Sequence, residues 1–227
     1  MILTPAAEDY LKTIYKLSEG DEAVTTQALA ERLSVAAPSA TAMMKKLAAM
    51  KLVRHEKYHG VELTPAGEKI ALEVIRHHRL IETYLAEVLG VAWDKVHEEA
   101  ERMEHVLSEE VEAKMAAALN HPLRDPHGAP IPSLNGEVVR DGWKRLSESA
   151  PGTRATVRRV SDENADLLRH LHEISLVPGT EIEVLRAAPA EGVMQLKIFG
   201  KRKTIGVAPA RAVFIEINDP EAKAKTT

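Results

Sequence analysis

The stretch from Lys95 to Glu110, KVHEEAERMEHVLSEE, carries two imidazoles and six glutamates against two cationic side chains. At about 100° per residue of helix, His97, Glu101, Glu104 and His105 fall within roughly one third of the circumference. A solvated helix face normally intersperses Lys or Arg one turn from its acids, and neither Glu101 nor Glu104 has such a residue at i+4. Clustered carboxylates and imidazoles without a counter-charge are costly, and a divalent cation removes that cost. Upstream, His78 and Glu82 stand four apart and share one face. Packed antiparallel, the two helices would gather His78, Glu82 and His97 around one point. Glu101, Glu104 and His105 would remain for a second point, with Asp9 as a candidate fourth ligand. The competing reading, an ordinary solvated acidic face, suits Glu98, Glu99, Glu109 and Glu110. The isolated histidines His55, His59, His121 and His127 read as surface or loop residues.

These groups need helices to hold them. Ala6 to Leu17 has apolar residues at helical spacing. Thr25 can cap a second helix, and a break at AAPSA precedes a third through TAMMKKLAAMKLV. The segment VRHEKYHGVELT then suggests a two-stranded hairpin with Gly60 at its turn. Helix, turn, helix and hairpin is the order of a winged helix-turn-helix; the bland alternative is a helical core that never meets DNA. Thr64 and Pro65 open a long helix ending near Gly90, and one further helix is expected from about Trp93 to Leu119. On it Val96, Ala100, Met103, Leu107 and Val111 form a core or dimer face. Four prolines between Asn120 and Gly136 indicate an extended linker. Beyond it TRATVRRV, TEIEVLRA, VMQLKIF and AVFIEI read as strands of a small β-barrel, with one helix near Glu163 to Leu171. The fold class is α+β.

Composition narrows the function classes. The 227 residues contain no cysteine, which removes disulfides, thiolate metal sites and cysteine nucleophiles together. No apolar run approaches the roughly 20 residues that span a bilayer, and no secretion signal opens the chain, so a cytoplasmic protein without a membrane partner is expected. The net charge of −4 is unevenly spread. Thr25 to Gly60 holds six Lys or Arg against two Glu, while His77 to Met115 holds four against ten Asp or Glu. One segment suits phosphates and the next suits cations.

The stretches KVHEEAERMEHVLSEEVE, RHHRLIETYL, APSATAMMKKL and DPHGAPIP resemble the diphtheria-toxin-repressor family of metal-dependent transcriptional regulators, especially its manganese-responsive branch, over nearly the whole chain. The resemblance implies a winged helix-turn-helix at 1–64, a helical metal-binding and dimerisation domain at 65–120, and a Pro-rich linker at 121–141. An SH3-like domain at 142–218 and a tail at 219–227 complete it. It implies that Asp9, Glu101, Glu104 and His105 form the site whose occupation activates DNA binding. A second site of His78, Glu82 and His97 would be completed from the SH3-like domain by Asp166 or Glu163, with Asn164 left open. Iron-responsive members carry methionine and cysteine where this chain has Asp9 and Glu101, so Mn²⁺ is the expected cofactor, with Fe²⁺ possible. Lys12 stands where some manganese members have a further acidic ligand.

The implied function is a homodimeric, Mn²⁺-dependent regulator that binds an inverted repeat in double-stranded DNA and represses metal-uptake genes. Thr26, Pro38, Ser39, Thr41, Lys45, Lys46, Arg54 and Lys57 are the candidate DNA contacts, the basic ones on phosphates and Ser39 and Thr41 nearest the bases. Ala36 and Ala42 replace polar base-contacting residues of relatives, which shifts weight to thymine methyls and DNA shape. The alternatives are an Fe²⁺-responsive regulator of the same family and, in another class, a two-metal hydrolase. The hydrolase reading lacks a spare base or nucleophile.

Overall fold

The computed structural model describes residues 3–20, 23–56, 60–162, 164–188 and 191–218. Helix α1 (Pro5–Ser18) begins where the Thr4 hydroxyl accepts from the Ala7 amide and Pro5 takes a position that needs no donor. Helices α2 (Thr26–Arg32) and α3 (Ala37–Ala49) follow, α2 capped by Thr25. They close with α1 over Leu11, Ile14, Leu29, Met44 and Leu47, all fully buried. Strands β1 (Val53–Glu56) and β2 (Gly60–Leu63) pair antiparallel as the wing. Gly60 does not occupy the turn, as the sequence suggested, but opens β2 opposite Glu56. It is confined to glycine: its φ is +91° and a Cβ would meet the Val24 carbonyl oxygen at 2.8 Å.

Helix α4 (Pro65–Glu87) is capped by Thr64 and runs for 23 residues through the middle of the molecule. Its buried residues include Ala71, Ile75, Leu80 and Ile81 together with His77, His78, Arg79 and Glu82. No described helix is long and apolar enough to cross a membrane.

The single helix expected from Trp93 to Leu119 is two. Helix α5 (Val96–Met103) stops with Glu104 as its C-cap, and α6 (Glu109–Ala118) restarts where the Ser108 hydroxyl accepts from the Val111 amide. Three acids in the first turn of α6 favour that restart through the helix dipole. Val96 and Ala100 are buried as expected. Met103, Val106 and Val111 are exposed on the single chain, and so are Val88 and Leu89.

The segment expected as an extended linker is packed against α4. Asp125 and residues 127–132 are buried, because Arg76 and Arg79 of α4 donate to the carbonyls of Pro132 and Pro130. Beyond it lie β3 (Lys144–Arg145), β4 (Arg154–Val160), helix α7 (Ala165–Glu173), β5 (Glu181–Ala188), β6 (Val193–Ile198), β7 (Lys201–Gly206), the short helix α8 (Val207–Ala210) and β8 (Val213–Ile217). The strands form one antiparallel sheet in the order β3-β8-β4-β5-β6-β7. It closes on Leu146, Leu168, Leu171, Leu176, Leu196 and Ile215. Strand β7 has no counterpart among the expected strands. It is an edge strand written KRKTIG, and cationic edges are a device against sheet-to-sheet pairing that also conceals the strand pattern.

Candidate metal centre

Helix α4 carries His78 and Glu82 one turn apart, and both are buried. Glu82 Oε1 lies 3.0 Å from His78 Nε2 and 3.1 Å from His97 Nδ1 of α5, and the two imidazole nitrogens are 3.0 Å apart. The spacing matches the roughly 3 Å between neighbouring donors around a divalent ion with bonds of about 2.1 Å. Asp162, just past β4, brings its Oδ2 to 3.6 Å from His97 Nδ1. Glu82, with His78, His97 and Asp162, therefore brings α4, α5 and the β-domain to one point.

The other face of Glu82 meets residues the sequence reading placed elsewhere. Asp125 and His127 sit in the packed proline-rich segment, and Glu82, Asp125, His127 and Asp162 offer donors within 4.8 Å of one another. Three buried atoms here have no hydrogen-bond partner, namely Glu82 Oε2, Asp125 Oδ2 and His127 Nδ1. Orphaned buried polar atoms are rare in folded proteins, and three at one point fit a site for a divalent cation. The contact on the other edge of His127 agrees. His127 Nε2 lies 3.1 Å from the Trp93 carbonyl and donates its proton there, so Nδ1 is the nitrogen that an ion at the cluster would take, displacing its proton.

Lone-histidine reasoning failed for His127 because its partners come from segments far away in sequence. The candidates from the β-domain, Asp166 or Glu163 with Asn164 left open, are not brought to this cluster among the described residues. Asp166 is exposed and paired to Arg169, away from the cluster. Asn164 caps α7 through the Leu167 amide. Glu163 lies outside the described residues. The structure places Asp162 beside His78, Glu82 and His97, and the signal that would have found it is its place two residues after a strand, where the sheet sets the path of the chain.

The second point joins the first helix to the turn after α5. His105 Nε2 lies 2.9 Å from Asp9 Oδ1 and 3.4 Å from Glu104 Oε1. Glu101 is not gathered with Asp9. It stands with His78 and Glu104, and Lys12 holds it there. The Lys12 ammonium, buried on α1, donates to Glu101 Oε1 at 2.8 Å and Glu104 Oε1 at 2.5 Å. The carboxylates that lack a counter-charge on their own helix thus receive one from another, a pairing that i, i+4 reasoning on one helix does not reach. His78 links the two points, its Nδ1 lying 2.5 Å from Glu104 Oε2.

Electrostatics follow this geometry. Burial disfavours the charged forms of His78 and His127, yet facing carboxylates outweigh it: chiefly Glu82, with Glu104, raises His78 to about 9, and Glu82 with Asp125 and Asp162 raises His127 to about 9. Burial likewise opposes ionisation of Asp162, but Lys16, His97 and His78 hold its carboxyl well below the usual range. Burial next to Glu82 pushes Asp125 up to about 6. Burial also raises Asp9.

On the DNA-binding side, Pro38, Ser39, Lys45, Lys46 and Arg54 are exposed, while Thr26 and Thr41 are half-buried. The Thr41 hydroxyl donates back to the Ala37 carbonyl, which leaves it only as an acceptor. Ala36 provides no side-chain cap to α3; Pro38 has no amide proton and the Ser39 amide donates to the Ala36 carbonyl, which leaves the Ala37 amide for a phosphate. Lys57 lies outside the described residues.

A winged helix-turn-helix whose first helix shares a metal-ligating cluster with a second domain defines a metal-regulated DNA-binding protein. Three family descriptions match in order: "Iron dependent repressor, N-terminal DNA binding domain" at residues 2–61, "Iron dependent repressor, metal binding and dimerisation domain" at 64–133, and "FeoA domain" at 144–217. The iron-dependent repressor IdeR of Mycobacterium leprae is 32% identical over 226 residues, covering 94% of this chain and 98% of that one. The diphtheria toxin repressor of Corynebacterium glutamicum is 34% identical over 83% of this chain and 81% of its own. A solved manganese-dependent transcriptional repressor in complex with manganese superposes with a TM-score of 0.89 at 36% identity, covering 93% of this chain and 100% of that one. The chain belongs to the iron-dependent repressor family, also known through the diphtheria toxin repressor, and is a metal-dependent DNA-binding transcriptional repressor. The hydrolase alternative falls with that assignment, since the family's members are repressors and not enzymes.

Proposed function

We propose that this chain is a homodimeric Mn²⁺-activated repressor of metal-uptake genes, acting in the cytoplasm where the chromosome lies. The observation that carries the reading is that Asp9, on the first helix of the DNA-binding domain, converges with Glu104 and His105 of the neighbouring domain. Residues Glu82, Asp125, His127 and Asp162, with His78 and His97 on the far side of Glu82, would hold a second ion. All these donors are carboxylate oxygens and imidazole nitrogens, a hard set that suits Mn²⁺ over softer ions. A bound divalent ion supplies positive charge and a fixed ligand geometry.

The protein's own residues do the rest. Asp9 ties α1 to the turn after α5 and so narrows the orientations of α2 and α3 behind it. Glu101 joins that set as Lys12 yields. The exposed apolar residues Val88, Leu89, Met103, Val106 and Val111 serve the dimer face, which presents two α3 helices to successive major grooves. Lys45, Lys46, Arg54 and Lys57 would contact phosphates, with Thr26, Pro38, Ser39 and Thr41 at the groove.

The test is selection from random double-stranded DNA by chelator-stripped protein, with no metal, with Mn²⁺ and with anaerobic Fe²⁺. Enrichment of an inverted repeat with Mn²⁺ alone supports the proposal, and equal enrichment without metal refutes it. Glu104→Ala should abolish the metal stimulation.

A further inference from the structure

We infer that Glu8 is a positioning residue for the metal point of Asp9, Glu104 and His105. The inference rests on the proposed binding of an ion there. His105 has two ring nitrogens on opposite edges, and the structure occupies both. Nε2 faces Asp9 Oδ1 at 2.9 Å and Glu104 Oε1 at 3.4 Å, while Nδ1 lies 2.7 Å from Glu8 Oε2. Glu8 and Asp9 are consecutive on α1, so their side chains leave the helix about 100° apart. They reach the same imidazole from two sides.

The ring itself keeps Glu8 away from the ion, because an ion on Nε2 lies on the other edge. What Glu8 does instead is choose the tautomer. The Nδ1 proton donates to its carboxylate, which leaves the Nε2 lone pair aimed at the oxygens of Asp9 and Glu104. An outer carboxylate on a ligating histidine fixes ring orientation and makes the inner nitrogen a better donor. His105 lies past the C-cap of α5, in a turn closed by the Val106 amide on the Met103 carbonyl, so Glu8 orients a ring that sits outside the helix.

Burial separates this contact from an incidental surface pair. The His105 side chain is 10% exposed and that of Glu8 is 21% exposed, so water screens the pair weakly. There is also a consequence for the DNA-binding domain. Rotation of α1 that withdraws Asp9 from the ion also withdraws Glu8 from the imidazole. The helix is therefore coupled to the metal point through both carboxylates, and loss of Glu8 should raise the amount of ion needed to order the domain.

The experiment is an Mn²⁺ titration of the full-length protein by calorimetry, with electron paramagnetic resonance of the free ion, for wild type, Glu8→Ala and Glu8→Gln. Two Mn²⁺ per wild-type protomer is the control on the sites themselves, and failure there overturns the proposed function and this inference with it. Given two ions, Glu8→Ala should weaken one binding step about 10- to 100-fold and leave the other unchanged. Glu8→Gln should recover most of the loss, because its amide oxygen still accepts from Nδ1. The Mn²⁺ concentration for half-maximal operator binding should shift in parallel. Wild-type affinity at both steps in Glu8→Ala overturns the assignment. So does an equal loss at both steps, or a glutamine variant no better than alanine. Should the alanine variant fail to fold, Glu8→Met, which keeps the bulk without an acceptor, takes its place: a loss at one step supports the role, and wild-type affinity at both steps or an equal loss at both overturns it.

Discussion

Replacing Lys12 with methionine should weaken the metal-free protein more than the Mn²⁺-loaded one. Lys12 Nζ is 2.5 Å from Glu104 Oε1, whose side chain is fully buried, and 2.8 Å from Glu101 Oε1, whose side chain is 37% exposed. Removing one partner of a buried ion pair costs about 3–5 kcal/mol. Glu104 keeps His78 on its other oxygen, which favours the lower end of that range. The Glu101 arm is open to solvent and adds at most about 1 kcal/mol. A loss of about 3 kcal/mol in a chain of this size lowers the melting temperature by roughly 6–12 °C. The oxygen that accepts from Lys12 also faces His105 Nε2, so an ion bound there supplies the lost counter-charge. If it recovers half to all of the loss, Mn²⁺ binds about 10- to 100-fold more tightly in the variant. Calorimetric melting with chelator and with saturating Mn²⁺, together with the Mn²⁺ titration, measures both quantities. Equal melting losses in the two conditions with unchanged Mn²⁺ affinity would refute the claim that Lys12 stands in for part of the cation's charge.

Further outcomes follow from the same geometry. Asp162→Ala should remove or greatly weaken one Mn²⁺ per protomer while sparing the ion at Asp9, which Mn²⁺ stoichiometry by equilibrium dialysis would show. Because His78 and His127 hold protons up to about pH 9 in the metal-free protein, Mn²⁺ must displace them, so affinity should climb between pH 6.5 and 9 by up to about tenfold per unit for each proton released. The metal-free fold has the opposite dependence: raised histidine values give stability that is complete below the unfolded value near 6.5 and lost as pH rises through 9, measurable by urea titration across that range. Lys46→Ala should weaken binding to all DNA sequences alike and reduce the salt slope by about one per protomer, read from operator titrations at several salt concentrations.

Local chemistry made much of this molecule legible. Thr4, Thr25 and Thr64 start helices because a hydroxyl can satisfy an orphan amide, and that signal is written in adjacent residues. His78 and Glu82 declare themselves because a helix fixes the relation between i and i+4. Where the sequence misled, the deciding contact was remote. The helix expected through Leu119 breaks at Glu104, where the turn lets His105 reach α1. Prolines 122 to 132 signal an extended chain but not whether it packs, so His127 looked solitary when its neighbours were Glu82 and Asp162. At the start of α7 the sequence offered Asp166 or Glu163, and a few residues of register separate the exposed Asp166 from Asp162, which faces His97.

The span of the ligand sets carries a further consequence. Asp9 and His105 are 96 residues apart, and the other set runs from Glu82 to Asp162. An ion at each point would be a cross-link in a chain without cysteine. In a chain-entropy description, closing a loop of about 100 residues removes roughly 4–5 kcal/mol of freedom from the unfolded ensemble. A disulfide would make such closure permanent. A coordinated ion makes it reversible and graded by concentration, so the protein's rigidity becomes a running measure of the ion's abundance.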